Sequence, residues 1–197
     1  MTVLTLRRRN ISIIGSAISM ALLVFVSTAA VQAQSLLDNY SPVTLAELQK
    51  PPPGDWLMWR RTANNWGYSP LDQINTDNVS SLRLAWSWTM EPGKQETTPL
   101  VHDGVMFLPQ VCDFIEAVDA TDGTPLWEYR RATVDHPAPL SCANRNGTLY
   151  KDQLLIATHD AYIVSLTATN GEVTWERQIG DWAVAVSYTH LTLTTKA

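Results

Sequence analysis

Four histidines, two cysteines and nineteen carboxylate side chains are the residues of this 197-residue chain with the most reactive chemistry. A metal centre needs nitrogen, sulfur or oxygen ligands at recurrent short spacings, and His102, His136, His159 and His190 are scattered without them, so they assign no metal. Asp135-His136 sets a carboxylate beside an imidazole, but no Ser or Cys nucleophile stands in a suitable context to use them. Asp119 and Asp122, in "DATDG", most simply serve a turn, where a short acid can bond its own backbone. Glu96, in "QETTPL", and Arg145, in "CANRNG", read by themselves as a solvated loop acid and an ordinary turn residue. Cys112 and Cys142 can pair in an oxidising compartment, although two cysteines in a chain this size do not make a disulfide scaffold; an inert half-buried thiol is the other reading of Cys142. No local motif gathers these groups, so any site has to be assembled by the fold.

The strongest clue to that fold is a repeat. "ATDGTPLWE" (Ala120 to Glu128) returns about fifty residues later as "ATNGEVTWE" (Ala168 to Glu176). The flanks stay in step: Phe114 to Asp119 aligns with Tyr162 to Thr167, and "HDGVMFL" with "YKDQLLI" after a one-residue gap. Each unit spells strand, turn, strand, an Asp-Gly or Asn-Gly turn that supplies positive backbone angles, then a strand bearing Trp127 or Trp175. Strands are predicted at Leu82 to Trp88, Gly104 to Gln110, Phe114 to Ala120, Gln153 to His159 and Ala161 to Ala168. A multi-strand unit with this period is a β-propeller blade, and the fold class is all-β. All eight tryptophans lie between Trp56 and Trp182, as a repeated packing role between blades requires.

Around this array the sequence is of a different kind. Arg7, Arg8 and Arg9 precede an apolar run from Ile11 to about Val31 that ends in Val31-Gln32-Ala33, which reads as a secretory signal over 1–33, with an uncleaved membrane anchor as the alternative. The mature chain is then periplasmic, with membrane attachment as the second option. Residues 34–54 form a lead-in: a short helix over Ser41 to Lys50 with Ser41 as cap and Pro42 in its first turn, ended by Pro51, Pro52 and Pro53. The net charge of -5 and the lack of a basic stripe argue against nucleic acid as a partner. The tail "VSYTHLTLTTKA" leaves the repeat, and Val186 to Leu191 back-translates as GTC-TCT-TAT-ACA-CAT-CT, the mosaic-end adaptor of transposase-made libraries. Residues 186–197 are therefore expected to be non-native, with the propeller region confined to 55–185 and holding about its first two blades; two blades cannot close a ring.

Asp55 to Trp88, with "WRRTANNWGYS" at Trp59 to Ser69, followed by "QETTPLVHDGVMFL", resembles the start of a mature quinoprotein alcohol dehydrogenase. That family forms an eight-bladed propeller around pyrroloquinoline quinone (PQQ), with Ala-x-Asp-x-x-x-Gly-x-x-x-Trp docking motifs. Ala117, Asp119, Gly123 and Trp127 fit the motif fully; the second copy keeps Gly171 and Trp175 but has Ser165 and Thr167. The resemblance implies that Glu96 reaches PQQ from the first blade, that Arg145 holds a PQQ carboxylate through a two-point fork, and that Cys142 lines the pocket. Many members carry two adjacent cysteines before the Asn-Arg pair; Ser141-Cys142 here forbids that vicinal disulfide. The implied activity is oxidation of an alcohol or sugar by hydride transfer to PQQ, assisted by Ca2+, with cytochrome c or ubiquinone as electron acceptor. The calcium ligands and the catalytic base belong to later blades in the family, so neither a catalytic nor a metal residue is expected in this chain. A non-catalytic propeller, serving as a binding platform in the cell envelope, is the alternative.

Overall fold

The computed structural model describes residues 34–132, 143–145 and 147–180. The predicted signal, Cys142, the Asp135-His136 pair, His190 and the predicted non-native tail lie outside the described residues.

Two four-stranded antiparallel sheets follow one another along the chain. The first contains β1 (Leu100–His102), β2 (Val105–Pro109), β3 (Phe114–Asp119) and β4 (Pro125–Arg130) in that spatial order; the second contains β5 (Thr148–Tyr150), β6 (Gln153–Ala157), β7 (Tyr162–Thr167) and β8 (Val173–Gln178). Consecutive strands pair throughout, so each sheet is a meander. The repeat seen in the sequence is reproduced even in its irregularities. Ala117 lies opposite Trp127 and the register slips just after it, and Ser165 lies opposite Trp175 with the same slip.

The two turn classes do different work. Asp103 and Gly104 both have positive φ, 48° and 78°, which is the primed hairpin turn expected for Asp-Gly between β1 and β2. In the β3–β4 connection only Gly123 has positive φ (77°); Asp119 caps the loop by accepting from the Thr121 amide at 2.7 Å, and Gly123 donates to the Asp119 carbonyl at 2.9 Å. The "TDG" turn is thus a longer loop, and its glycine has a second function. A Cβ on Gly123 would meet Trp86 at 2.8 Å, and one on Gly171 would meet Trp127 at 2.5 Å. The Trp86 indole N–H donates to the Ala120 carbonyl (3.1 Å) and that of Trp127 to the Ala168 carbonyl (2.9 Å). Each tryptophan therefore lies flat on the glycine loop of the next sheet, and Trp127 ties the first sheet to the second.

The segment from Leu82 to Trp88, predicted as a strand, is not one. Its Trp86 occupies the place that Trp127 occupies one repeat later, so the sequence pattern belongs to an outer strand, but no partner strand among the described residues supplies the ladder hydrogen bonds that would make it regular. The helix prediction needs a similar correction. The helix α1 is Leu45–Gln49, capped by Thr44 rather than Ser41. Thr44 has an acid at the third helical position and forms a reciprocal box, accepting from the Glu47 amide (3.2 Å) while the Glu47 carboxylate accepts from the Thr44 amide (2.7 Å). Ser41 lacks such a partner and instead donates its amide to Asp103 at 2.8 Å, fastening the lead-in to the β1–β2 turn.

The core fills the space between the sheets with Phe107, Ile115, Ala117, Leu154, Ile156, Val164 and Leu166, all buried. The lead-in seals one side of it. Trp56 pairs with Val101 of β1 and Met58 with Thr148 of β5, so the segment after the prolines crosses the first strands of both sheets, and Val43, ahead of α1, pairs with Lys151. Leu57 and Met58 from that segment, Val43, and Leu48 from α1 drop into the core.

Candidate functional site

Each sheet is entered by a loop that runs into its first strand. Glu96 lies just before β1 and Arg145 just before β5, so the repeat puts them at corresponding ends of neighbouring sheets. The structure brings them into contact: Arg145 Nη2 forms an ion pair with Glu96 Oε2, and Lys94 Nζ approaches Glu96 Oε1 at 2.7 Å. The Lys94 hydrogen bond, helped by the charges of Arg145 and Lys94, outweighs desolvation and holds the Glu96 carboxyl below the usual carboxylate range. Arg145 is 41 % exposed and Lys94 69 %, so the cluster presents two cations at an open surface around one carboxylate that is 20 % exposed. An exposed trio of this kind adds little to stability; its interest lies in the charge it displays.

Local packing fixes both loops. The Thr97 hydroxyl donates to the Pro109 carbonyl at 2.6 Å and Gln95 donates to the Glu91 carbonyl at 2.6 Å, which hold the residues on either side of Glu96. Before Arg145, Ala143 and Asn144 are buried, and the Asn144 amide donates to Asp113 at 3.1 Å. After it comes Gly147, where a Cβ would meet the end of the Leu100 side chain of β1 at 2.9 Å, so the second loop passes close against the first sheet. Of the three sequence-predicted binding residues, Glu96 and Arg145 meet, and Cys142 lies outside the described residues. Cys112 is disulfide-bonded, and Cys142 is the chain's one other cysteine.

Sequence reasoning missed three groups. Lys94 stands two residues before Glu96, and alternation in an extended loop is the signal that puts both on one side. Asp113 and His159 have no local signal: they come from the β2–β3 and β6–β7 turns, and the buried Asp113 carboxylate accepts from His159 Nδ1 at 3.0 Å and from the His159 amide at 2.8 Å. Beside them Arg131 grips Asp160 with two nitrogens, Nε donating to Oδ1 at 2.9 Å and Nη2 reaching Oδ2 at 2.7 Å, while Nη1 donates to Glu176 at 2.9 Å.

A second cluster imitates a hydrolase triad without being one. His102 Nδ1 lies 2.7 Å from Asp55 Oδ2, and Nε2 lies 3.5 Å from the Ser41 hydroxyl. But Nε2 is closer to the Ser41 carbonyl, 2.9 Å, and the Ser41 hydroxyl gives its hydrogen to Asp103. With the Asp55 carboxylate and the Ser41 carbonyl at its two ring nitrogens, and the Ser41 hydroxyl committed to Asp103, the ring is not arranged to take a proton from Ser41. His102 is a staple between the lead-in and β1. Among the described residues no group of three His, Cys, Asp or Glu side chains is arranged to hold a metal ion, and no helix is long and apolar enough to cross a membrane.

Comparison with known proteins bears on this geometry. Residues 56–181 match the β-propeller domain of the PQQ glucose/ethanol/alcohol dehydrogenases. The dehydrogenase subunit of the quinone alcohol dehydrogenase of Gluconacetobacter polyoxogenes is 37% identical over 127 residues, 62% of this chain and 17% of that protein. The 1-butanol dehydrogenase (quinone) of Thauera butanivorans is 37% identical over 140 residues, 69% of this chain and 22% of that protein. Among solved structures, the quinohemoprotein alcohol dehydrogenase ADHIIG from Pseudomonas putida HK5 superposes with a TM-score of 0.66 at 30% identity, covering 71% of this chain and 21% of that one. A europium-containing methanol dehydrogenase gives 0.63 at 30% identity, covering 70% and 25%. The chain thus spans about a fifth of the length of the curated relatives it matches.

Proposed function

Because this chain belongs to the PQQ-dependent alcohol dehydrogenase β-propeller family, we propose that it is the amino-terminal part of an exported PQQ-dependent dehydrogenase acting on an alcohol or sugar, and that Glu96, Arg145 and Cys142 contribute to its cofactor site. The observation that carries the reading is the convergence of Glu96 and Arg145, at corresponding loops of adjacent blades, into one ion pair with Lys94 beside it. The donor set fits the group. PQQ is a tricarboxylate, and a partly exposed guanidinium with a second cation close by is the chemistry that binds carboxylates. Arg145 would hold a carboxylate through its fork, Lys94 would add a point charge, and Glu96 would orient Arg145. When bound, PQQ supplies the two-electron oxidant that accepts hydride from a C–H bearing a hydroxyl.

The residues of this chain bind and position; none of those described is assigned as a base. In this reading the calcium ligands and the catalytic aspartate belong to later blades, where a bound Ca2+ would act as a Lewis acid. The names of the relatives support an alcohol substrate, and cytochrome c or ubiquinone is the proposed electron acceptor. The Arg-rich start and apolar run support delivery to the periplasm.

The test is PQQ titration of the full-length protein by calorimetry, followed by dye-linked oxidation of a series of primary alcohols and sugars. Saturable PQQ binding with alcohol-dependent dye reduction is the expected result. A folded full-length protein that takes up no PQQ would refute the dehydrogenase reading and leave a binding propeller.

A further inference from the structure

We propose that Gln110 is the positioning residue of the Glu96 loop: its buried side-chain amide anchors that loop to the end of β2 and so sets where Lys94 and Glu96 stand. The inference rests on the cofactor role given to Glu96 and Arg145 above. Gln110 contacts the loop rather than the cofactor.

The segment from Trp88 to Thr97 belongs to no helix or strand, so no ladder of backbone hydrogen bonds fixes its path. It is tied down instead at separate points, all on β2, β3 or the turn between them. Trp88 Nε1 donates to Glu116 Oε2 at 2.9 Å, the Glu91 amide donates to Gln110 Oε1 at 2.7 Å, and the Thr97 hydroxyl donates to the Pro109 carbonyl at 2.6 Å. Between the last two, Gly93 lies on Val111, where a Cβ would stand 3.2 Å from Cγ1. Pro109, Gln110 and Val111 are consecutive, and Gln110 is the middle one. From Glu91 the hold passes along the loop. The Glu91 carboxylate pairs with Arg130 at 2.6 Å, and its carbonyl accepts from Gln95 Nε2 at 2.6 Å. Gln95 is the residue immediately before Glu96.

The chemistry of position 110 allows little else. Gln110 is 0 % exposed, and its backbone amide donates to the Phe114 carbonyl at 2.7 Å, so the β2–β3 turn fixes where its side chain starts. A buried side-chain amide needs partners for both its oxygen and its nitrogen. Here one neighbour only donates, the Glu91 amide, and the other only accepts, the Glu116 carboxylate. The side-chain amide therefore fits in one sense, oxygen toward the loop and nitrogen toward β3. Glu116 is held in turn by the Trp88 indole and by its place in the sheet, opposite Leu108 on one side and Glu128 on the other. The surface trio of Lys94, Glu96 and Arg145 cannot do this work for itself, because exposed ion pairs are weak and let long side chains wander. A buried hydrogen bond whose loss strands a polar group is the stronger constraint, and it lies beneath Glu91.

Two measurements on the full-length protein test this. The first is the PQQ dissociation constant of the folded apo-protein by calorimetry. Gln110→Leu keeps the apolar bulk and removes both polar contacts, so the constant should rise about tenfold, the scale of one buried hydrogen bond. Glu116→Gln keeps an oxygen that can accept from both Gln110 and Trp88, so it should stay within about threefold of wild type. A residue that serves the fold alone would lower the urea midpoint and leave the affinity of the folded protein unchanged. Wild-type affinity in Gln110→Leu, or a loss as large in Glu116→Gln, overturns the proposal. If Gln110→Leu does not fold, Gln110→Asn takes its place: one methylene shorter, it keeps the amide but cannot span both partners, and wild-type affinity there overturns the proposal equally. The second measurement needs no PQQ. In the Gln110 variant the Glu91 amide should exchange hydrogen about tenfold faster while the β2 and β3 amides keep their rates, and an unchanged Glu91 rate overturns the anchor. If wild type binds no PQQ, the functional reading fails, while the exchange rates still decide whether Gln110 holds the loop.

Discussion

Gly171→Ala is the most direct test of how one blade recognises the next. The added methyl carbon would sit 2.5 Å from Trp127 Cε3, 2.9 Å from Cζ3 and 3.0 Å from Cδ2, so three atoms of a rigid ring are inside contact distance at once. Trp127 cannot retreat without giving up its 2.9 Å hydrogen bond to the Ala168 carbonyl and its packing on Phe107, whose ring centroid is 5.9 Å away. Overpacking of this kind costs about 1–3 kcal/mol. Gly171 also has φ +72°, and moving a residue with a Cβ into that region costs roughly 1 kcal/mol more. The destabilisation is thus about 2–4 kcal/mol, a large part of a domain's net stability. Gly54→Ala is the control, because its added Cβ meets nothing within 4 Å and its φ is not in the left-handed region; it should be neutral to within about 0.5 kcal/mol. Urea unfolding followed by tryptophan fluorescence in the full-length protein reads both. Equal midpoints for Gly171→Ala and Gly54→Ala would refute the docking of Trp127 on the glycine loop.

Two further substitutions address the site and the same interface. Arg145→Ala should raise the PQQ dissociation constant roughly tenfold or more while leaving the protein folded, and Arg145→Lys should recover only part of the loss because it keeps the charge without the fork; calorimetric titration of the apo-protein decides. Trp127→Phe keeps a ring on Gly171 but removes the indole N–H that Ala168 accepts, so the urea midpoint should fall by the equivalent of about 1 kcal/mol, less than for Gly171→Ala.

The fold was legible where the sequence repeats itself. Six of the eight strands, β2 to β4 and β6 to β8, carry the two aligned copies of one pattern, Phe114 to Trp127 and Tyr162 to Trp175 included, and apolar runs bounded by glycine turns leave few other ways to bury both faces. Legibility failed where a segment's structure depends on something distant. Leu82 to Trp88 has every local mark of a strand, yet a strand exists only by pairing, and that is a property of a neighbour. The cap was misplaced at Ser41 because the deciding feature is the reciprocal partner: Thr44 has Glu47 three residues on, whereas Ser41 has Thr44.

The site was legible in a different way. Glu96 and Arg145 were singled out by resemblance alone, since neither has a local context that distinguishes it from a surface loop residue. Their contact then follows from the repeat: a blade rotated onto its neighbour superposes equivalent loops, so chemistry written one period apart meets at one end of the array. The same logic covers the residues that were missed. Asp113 and His159 sit in the β2–β3 and β6–β7 turns, and they meet for the reason that Glu96 and Arg145 do. His159 has no ligand-like spacing along the chain because its partner, Asp113, lies across the blade interface. In a repeat fold the productive question is which side chains occupy equivalent turns of adjacent units, and here that question leads from a buried carboxylate to the loop that carries Arg145.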